Sequence, residues 1–181
     1  MTKKNPSSLK PPAASLPLVG IILGSDTDLP VMTDTARMLE KFGVPYELEI
    51  TSAHRSPART QEYARRARER GLRAIIVGAG GASHLAGIIA AETTLPVIGV
   101  PVASTPLAGM DALLSTVQMP GGVPVAVMAI GKAGAVNAAI FAAEIIALAD
   151  RPLAEKLVRY KEELARSVAE KAEKVKREFN V

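Results

Sequence analysis

The sequence predicts an α/β fold with three layers, in which a doubly wound parallel sheet of about five strands lies between two layers of helices. Two observations predict it. Five short apolar runs alternate with five helical patterns, and four of these runs are apolar almost throughout, as strands covered on both faces should be. A long amphipathic pattern follows the last helix. A chain of 181 residues is long enough for one such domain and an appendage.

The predicted strands are short and lie between turn residues. They cover Leu18–Leu23, Tyr46–Thr51, Ala74–Val77, Pro96–Val100 and Val123–Ile130. The second run differs from the others because Glu47 and Glu49 alternate with its apolar residues. Such alternation predicts a strand at the edge of the sheet.

The predicted helices are bounded by glycine and proline signals. They cover Pro30–Phe42, Pro57–Arg70, Ser83–Glu92, Gly109–Val117 and Ala133–Ala149. Gly43 is a C-cap candidate for the first helix, and the second begins with proline and ends at Gly71. Strict alternation of strands and helices predicts parallel pairing with right-handed crossovers.

Beyond Asp150, apolar residues recur at steps of three and four and predict a helix of roughly 27 residues, about 40 Å long. The stripe consists of Leu153, Leu157, Tyr160, Leu164, Val168, Ala172, Val175 and Phe179. The helix could pack on its own subunit, but we favour an arm that packs on a neighbouring chain. The predicted organisation is a disordered basic tail (1–16), an α/β domain (17–149) and a C-terminal helical arm for oligomerisation (150–181).

The composition excludes several classes of function. Without cysteine the chain has no disulfide framework, thiol nucleophile or thiolate metal site, and two histidines leave little room for a metal centre. The net charge of +4 owes most to three lysines in the first 16 residues, so no basic stripe indicates nucleic-acid binding. The apolar pattern Ala133–Ala149 is too short and too polar to span a membrane. We expect a soluble, cytoplasmic protein that binds neither nucleic acid nor a membrane.

Polar residues follow the first two strands, at the sheet edge where ligands bind in open parallel sheets. The hydroxyls and helix-start N–H groups of Gly24–Asp28 suit a phosphate or carboxylate, and Asp28 could bind ribose hydroxyls or simply cap the helix. Ser52–Pro57 places His54, which can move a proton, beside Arg55, which can bind a phosphate. The structural alternative is that Ser56 caps the helix and that Arg55 is a surface charge.

A glycine-rich loop, Gly78–Leu85, follows the third strand. Its three glycines in four residues let the backbone approach a flat ligand, but they do not form the GxGxxG fingerprint, so we reject a nicotinamide site. His84 could contact the ligand or merely pack at the helix start. With no metal cage, thiol, P-loop or serine triad, these loops indicate cofactor-free proton transfer on a small phosphorylated metabolite.

Taken together and in order, these loops resemble those of the bacterial N5-carboxyaminoimidazole ribonucleotide mutases of purine biosynthesis. The shared motifs, over roughly residues 18–149, are Gly24–Asp28, Ser52–Pro57, Gly78–Leu85, Gly99–Val102, Ser115–Pro120 and Ala129–Gly131. The resemblance implies a flavodoxin-like fold, a homo-octamer, no cofactor, and functional coupling to the ATP-dependent synthetase of the preceding step. The implied reaction is an isomerisation that moves a carboxylate from the exocyclic nitrogen to carbon 4 of an imidazole ring.

The resemblance also implies roles for individual residues. His54 and His84 would be the catalytic residues: His54 would be the general acid and base, and His84 would line the site. The residues that would bind the substrate are Ser25, Asp28, Ser52, Ala53, Arg55, Ala79, Gly80, Gly81, Ser83 and Leu85. Thr27, Ala86 and Ala112 stand where the family usually has Ser, Pro and Ser. A related animal-type group carboxylates aminoimidazole ribonucleotide directly with carbon dioxide, and that reaction is the alternative function.

Overall fold

The computed structural model describes residues 16–179, which contain a five-stranded sheet. Its strands are β1 (Val19–Leu23), β2 (Tyr46–Ile50), β3 (Ala74–Gly80), β4 (Val97–Val102) and β5 (Ala126–Val127). The order is β2-β1-β3-β4-β5, and every neighbouring pair is parallel. The predicted parallel α/β fold and the edge position of the second strand are therefore confirmed. The predicted tail, 1–16, lies outside the described residues except for Leu16.

Six α-helices and one 3-10 turn accompany the strands in the described part of the chain. They are a 3-10 turn (Asp26–Asp28), α1 (Leu29–Phe42), α2 (Pro57–Ala67), α3 (Leu85–Glu92), α4 (Met110–Val117), α5 (Lys132–Ala147) and α6 (Arg151–Phe179). Gly43 ends α1 in the left-handed conformation, with φ 75°, as its C-cap position requires. The predicted helices are thus all present, with ends displaced by at most three residues.

Helices cover both faces of the sheet, and strand glycines show where α1 and α2 approach it. A Cβ atom on Gly20 would meet the side chain of Tyr63 in α2, whereas one on Gly78 would meet Met32 in α1. Helices α3 and α4 lie on the α2 face. On the other face α5 is joined to α1, because the Thr35 hydroxyl donates to an α5 carbonyl at 2.9 Å. The fold therefore has three layers.

The fifth strand is shorter and more exposed than the sequence predicts. Only Ala126–Val127 pair as strand, and both residues are half-buried. The prediction of an eight-residue strand covered on both faces is wrong for a physical reason. The strand lies at the sheet edge, and Pro124 within the predicted run has no N–H to donate. Past the strand, two bonds still join the chain to β4: Met128 N–H to a Gly99 carbonyl at 2.9 Å, and Gly131 N–H to Pro101 at 2.8 Å.

The chain divides into two compact units, the second of which begins at Ile146 and contains α6. This helix has 29 residues, or about 44 Å at 1.5 Å per residue. Leu153 and Leu157 of its apolar stripe are buried, but Leu164 and the later large apolar members are exposed. The predicted long helix is confirmed, and its role as an arm remains a prediction. Among the described residues, no helix is both long and apolar enough to cross a membrane.

Candidate active site

The loop after β1 is organised by the carboxylate of Asp28. One of its oxygens accepts the Ser25 N–H at 3.0 Å, and the Ser25 side chain accepts from the Asp28 backbone in return, which forms a capping box. The Ser25 hydroxyl also accepts the Thr27 N–H at 3.3 Å. Burial raises the pKa of Asp28, against the opposing effect of hydrogen bonds from the Ser25 and Gly24 backbone. Its side chain makes no cap bond to α1. Asp28 therefore shapes the loop around Ser25.

The loop after β2 is a tight turn that leaves Arg55 unpaired. The Ser52 hydroxyl accepts the Arg55 N–H at 3.1 Å, and the Ser56 hydroxyl accepts the Ser52 N–H at 3.0 Å. Ser56 therefore closes the turn, and its side chain makes no cap bond to α2. The guanidinium of Arg55 is exposed and makes no ion pair within residues 16–179, so its charge is available to an anion.

The glycine-rich loop after β3 is held by α4. Gly81 has φ 59°, a left-handed conformation that glycine adopts without strain. Two residues later, the buried Ser83 donates its N–H to the Ser115 hydroxyl at 3.1 Å. The Ser115 hydroxyl in turn donates to the Asp111 carbonyl at 2.7 Å, and the Thr116 hydroxyl lies 3.3 Å from the Ser83 carbonyl oxygen. These bonds fix the backbone of the loop.

The two histidines of the chain are in contact. Nε2 of His54 lies 2.9 Å from Nδ1 of His84, and the rings meet edge to face at 81° with centroids 5.1 Å apart. In such a bond one ring nitrogen donates a proton and the other accepts it. His84, which lies at the start of α3, thus has His54 as its partner, and both residues are exposed.

A cavity of about 180 Å³ lies among these loops, at the carboxyl ends of the strands. Its wall is formed by Gly24, Ser25, Thr27, Asp28, Ser52, Ala53, His54, Arg55, Ala79, Gly80, Ala82, Leu85 and Ser104. Three of the predicted site residues, Gly81, Ser83 and His84, are not part of this wall. Residues that the sequence prediction left out are Gly24, Thr27, Ala82 and Ser104. The first three lie inside the quoted motifs, and Ser104 follows the end of β4, which is the signal that could have found it.

A second cavity of about 390 Å³ adjoins the first and shares part of its wall. The shared residues are Gly24, Ser25, Ser52 and Arg55. The cation and hydroxyls therefore lie at the junction, near the start of α2, where a phosphate would be stabilised by charge and by the helix dipole. His54 and the glycine-rich wall belong to the smaller cavity alone. Within residues 16–179, no group of three or more His, Asp or Glu side chains could hold a metal ion.

Comparison with known proteins identifies the family. The model of the AIR carboxylase family matches residues 18–167. The chain belongs to the AIR carboxylase family. Proteins named N5-carboxyaminoimidazole ribonucleotide mutase are similar to it. The one from Pyrococcus horikoshii is 58% identical over 159 residues, which cover 88% of this chain and 89% of that protein. The one from Bacillus subtilis is 55% identical over 159 residues, which cover 88% of this chain and 98% of that protein.

Solved structures place this member of the AIR carboxylase family among enzymes of the same fold. The crystal structure of PurE from Treponema denticola superposes with a TM-score of 0.79 at 30% identity, and covers 88% of this chain and 99% of that one. The predicted flavodoxin-like fold and the predicted family are therefore both confirmed. The span matched by the AIR carboxylase model contains every residue of the cavity wall.

Proposed function

We propose that the protein is an isomerase of de novo purine biosynthesis that converts N5-carboxyaminoimidazole ribonucleotide into 4-carboxy-5-aminoimidazole ribonucleotide. The observation that carries the proposal is the pairing of His54 with His84 beside a cavity that also holds the unpaired Arg55. The 55–58% identity to proteins named as this mutase gives independent support.

The binding residues divide between the two ends of the nucleotide. The guanidinium of Arg55 and the hydroxyls of Ser25 and Ser52 would hold the phosphate at the junction of the two cavities. Asp28 would accept hydrogen bonds from the ribose. Ala53, Leu85 and the backbone at Ala79–Gly81 would border the imidazole ring, because glycine allows close approach to its flat face. Ser83 would support binding indirectly, because its N–H bonds to Ser115 and holds the glycine-rich loop in position.

The proton is carried by His54 in both halves of the reaction. As the bond from the exocyclic nitrogen to the carboxylate carbon breaks, His54 gives that nitrogen a proton. When carbon 4 has taken up the carboxylate carbon, His54 removes the proton of carbon 4 and the ring regains its aromaticity. The reaction consumes no net proton, so a single group can serve as acid and base. His84 orients the His54 ring through their shared hydrogen bond.

The carboxylate would leave as carbon dioxide and be captured again at carbon 4. This route requires a cavity that excludes bulk water and retains the gas. In the single chain, His54 and Arg55 are exposed, so a neighbouring subunit would have to cover the site. Large apolar side chains on and before α4 support such contacts, since Leu107, Met110, Leu114 and Val117 are each about half exposed or more.

As the resemblance to the mutase family implies, the proposal also includes a homo-octamer in the cytoplasm. The octamer would be coupled in function to the ATP-dependent synthetase that supplies the substrate. Light scattering of the purified protein tests the octamer, because eight chains of 19.0 kDa have a defined total mass. A particle of one or two chains that is fully active would contradict it.

The alternative is a direct carboxylase that acts on aminoimidazole ribonucleotide and carbon dioxide, and the description of the family as AIR carboxylase favours testing it. Purified protein is given the N-carboxylated nucleotide in bicarbonate-poor buffer, and product is followed by its absorbance. The mutase should convert this substrate rapidly. Product formed only from aminoimidazole ribonucleotide with added bicarbonate would establish the carboxylase instead.

A further inference from the structure

The loop after β4 contributes to the cavity a side chain that belongs to none of the motifs. Ser104 lies two residues beyond the end of β4 and is one of the residues that line the cavity. Its hydroxyl makes no hydrogen bond to any residue in the range 16–179. The hydroxyl of the next residue does have a partner, because Thr105 donates to the Asp111 carboxylate at 2.6 Å. Ser104 therefore presents a free donor to whatever occupies the cavity.

Gly80 makes room for this hydroxyl. A Cβ atom on Gly80 would collide with the hydroxyl oxygen and Cβ of Ser104 and would lie 3.0 Å from the carbonyl oxygen of Val102. A larger residue at this position would displace Ser104 or the backbone of β4. The absence of a side chain at Gly80 thus brings the Ser104 hydroxyl directly against the backbone proposed to border the imidazole ring.

The position of Ser104 places it at the reacting end of the site. The two cavities share Arg55 and the hydroxyls that would bind a phosphate, but Ser104 lines only the smaller cavity, as His54 does. A hydroxyl at this end meets the part of the nucleotide that changes during the reaction.

The loop that carries Ser104 is held in place by α4. The Asp111 carboxylate accepts the Thr105 hydroxyl on one oxygen and the Ala112 N–H, at 2.9 Å, on the other. The bond from Thr105 lowers the pKa of Asp111, which keeps the carboxylate charged as an acceptor. A polar group on a preorganised loop loses little freedom when it binds a ligand, so its hydrogen bond contributes to affinity.

We propose that the Ser104 hydroxyl donates a hydrogen bond to the carboxylate that is transferred and so distinguishes carboxylated from uncarboxylated nucleotides. A carboxylate can only accept hydrogen bonds, and a hydroxyl without another partner can supply one. The inference rests on the proposed function, since it takes the migrating carboxylate to lie beside His54. Ser104 binds this group, whereas His54 moves the proton.

The test compares three ligands by titration calorimetry: ribose 5-phosphate, aminoimidazole ribonucleotide and 4-carboxy-5-aminoimidazole ribonucleotide. Ser104→Ala should raise the Kd of the carboxylated nucleotide about ten-fold, as loss of a hydrogen bond to a charged group does. The Kd values of the other two ligands should change less than two-fold. Ser104→Cys, which keeps the volume but is a weak donor, should behave like Ser104→Ala.

Ser167→Ala is the matched control, because it makes the same substitution at a residue of α6 that lines neither cavity. It should not weaken the carboxylated nucleotide selectively. Equal effects of Ser104→Ala on all three ligands, no effect on any, or wild-type affinity in Ser104→Cys would overturn the proposal. Wild-type turnover is measured in parallel: its absence would refute the proposed function, while the three Kd values would still decide the role of Ser104.

Discussion

The hydrogen bond between the two histidines leads to a different expectation for each ring. His54→Asn removes the only proposed acid and base, so kcat should fall about 10³-fold, within the range for loss of such catalysis. His84→Asn removes an orienting partner, and kcat should fall about ten-fold with little change in KM. Steady-state turnover of the N-carboxylated nucleotide measures both effects, and light scattering shows whether assembly is intact. Turnover retained in His54→Asn would contradict the assignment of the base.

Ser115 connects α4 to the glycine-rich loop but does not line the cavity. Its substitution should therefore affect stability and substrate binding through the loop. Ser115→Ala leaves the buried Ser83 N–H without its acceptor, which should cost about 1–2 kcal/mol of unfolding free energy. We expect a lower melting midpoint in calorimetry and a higher KM, because the loop backbone that borders the ring loses its support.

Ser115→Thr is the conservative control, since it keeps a hydroxyl at the same position. It should recover most of the stability and the KM. If the alanine and threonine variants behave alike, the hydroxyl is not what supports the loop.

The residues of the site differ in how far the sequence could reveal them. Asp28, Ser52 and Arg55 are recognisable because each belongs to a short polar segment between a buried strand and a helix. Ser104 lies in a loop with no comparable motif, and it faces the cavity only because β4 pairs with β3 and Gly80 leaves space for it. Such an approach between distant segments is set by tertiary packing, which local sequence does not encode.

Between β2 and α2, Tyr63 and Arg70 share a single acceptor. The Tyr63 hydroxyl and the Arg70 guanidinium both donate to one Glu47 oxygen, each at 2.7 Å, and Arg70 lies 4.4 Å from the centre of the Tyr63 ring. Burial, followed by the bond to Glu47, raises the pKa of Tyr63 well above its ordinary value of 10.0. The neutral hydroxyl is therefore part of the folded structure.

This arrangement predicts a pH-dependent effect of Tyr63→Phe. At pH 8 the variant should lose about 1 kcal/mol of unfolding free energy, because one buried hydrogen bond is removed. Tyrosine in the unfolded chain ionises near pH 10, whereas Tyr63 in the folded chain stays protonated, so its contribution is complete below pH 10 and is lost as the pH rises above it. Urea unfolding from pH 8 to 11 should show the difference shrinking only above pH 10. A difference that grows with pH would contradict the assignment.

Element boundaries were predictable where a local signal sets them. Gly43 ends α1 and Pro57 begins α2, both as the sequence predicts. The fifth strand has only one such signal, since Pro124 has no N–H to donate, and the apolar run around it is compatible with a buried strand or with an edge. Its short length follows from this proline together with its place at the sheet edge, which depends on the whole sheet.

At the scale of the whole molecule, the apolar stripe of α6 is buried only near its start. Leu164, Val168, Val175 and Phe179 are 50%, 65%, 53% and 69% exposed. Four large apolar side chains at helical spacing on one exposed face are costly in water and are typical of a helix that packs on another chain. They favour the interpretation of α6 as an arm that contacts a neighbouring subunit.

The double variant Val168→Glu with Val175→Glu tests this interpretation. It places two charges on the stripe, so light scattering should show a particle of fewer chains than the wild type. Lys171→Glu is a matched control, because it changes the net charge by the same two units at another exposed position of α6. The control should assemble normally. Turnover should fall with assembly in the double variant, because a site with exposed His54 and Arg55 depends on a neighbour to exclude water. An unchanged mass in the double variant would show that this part of α6 is not the contact between chains.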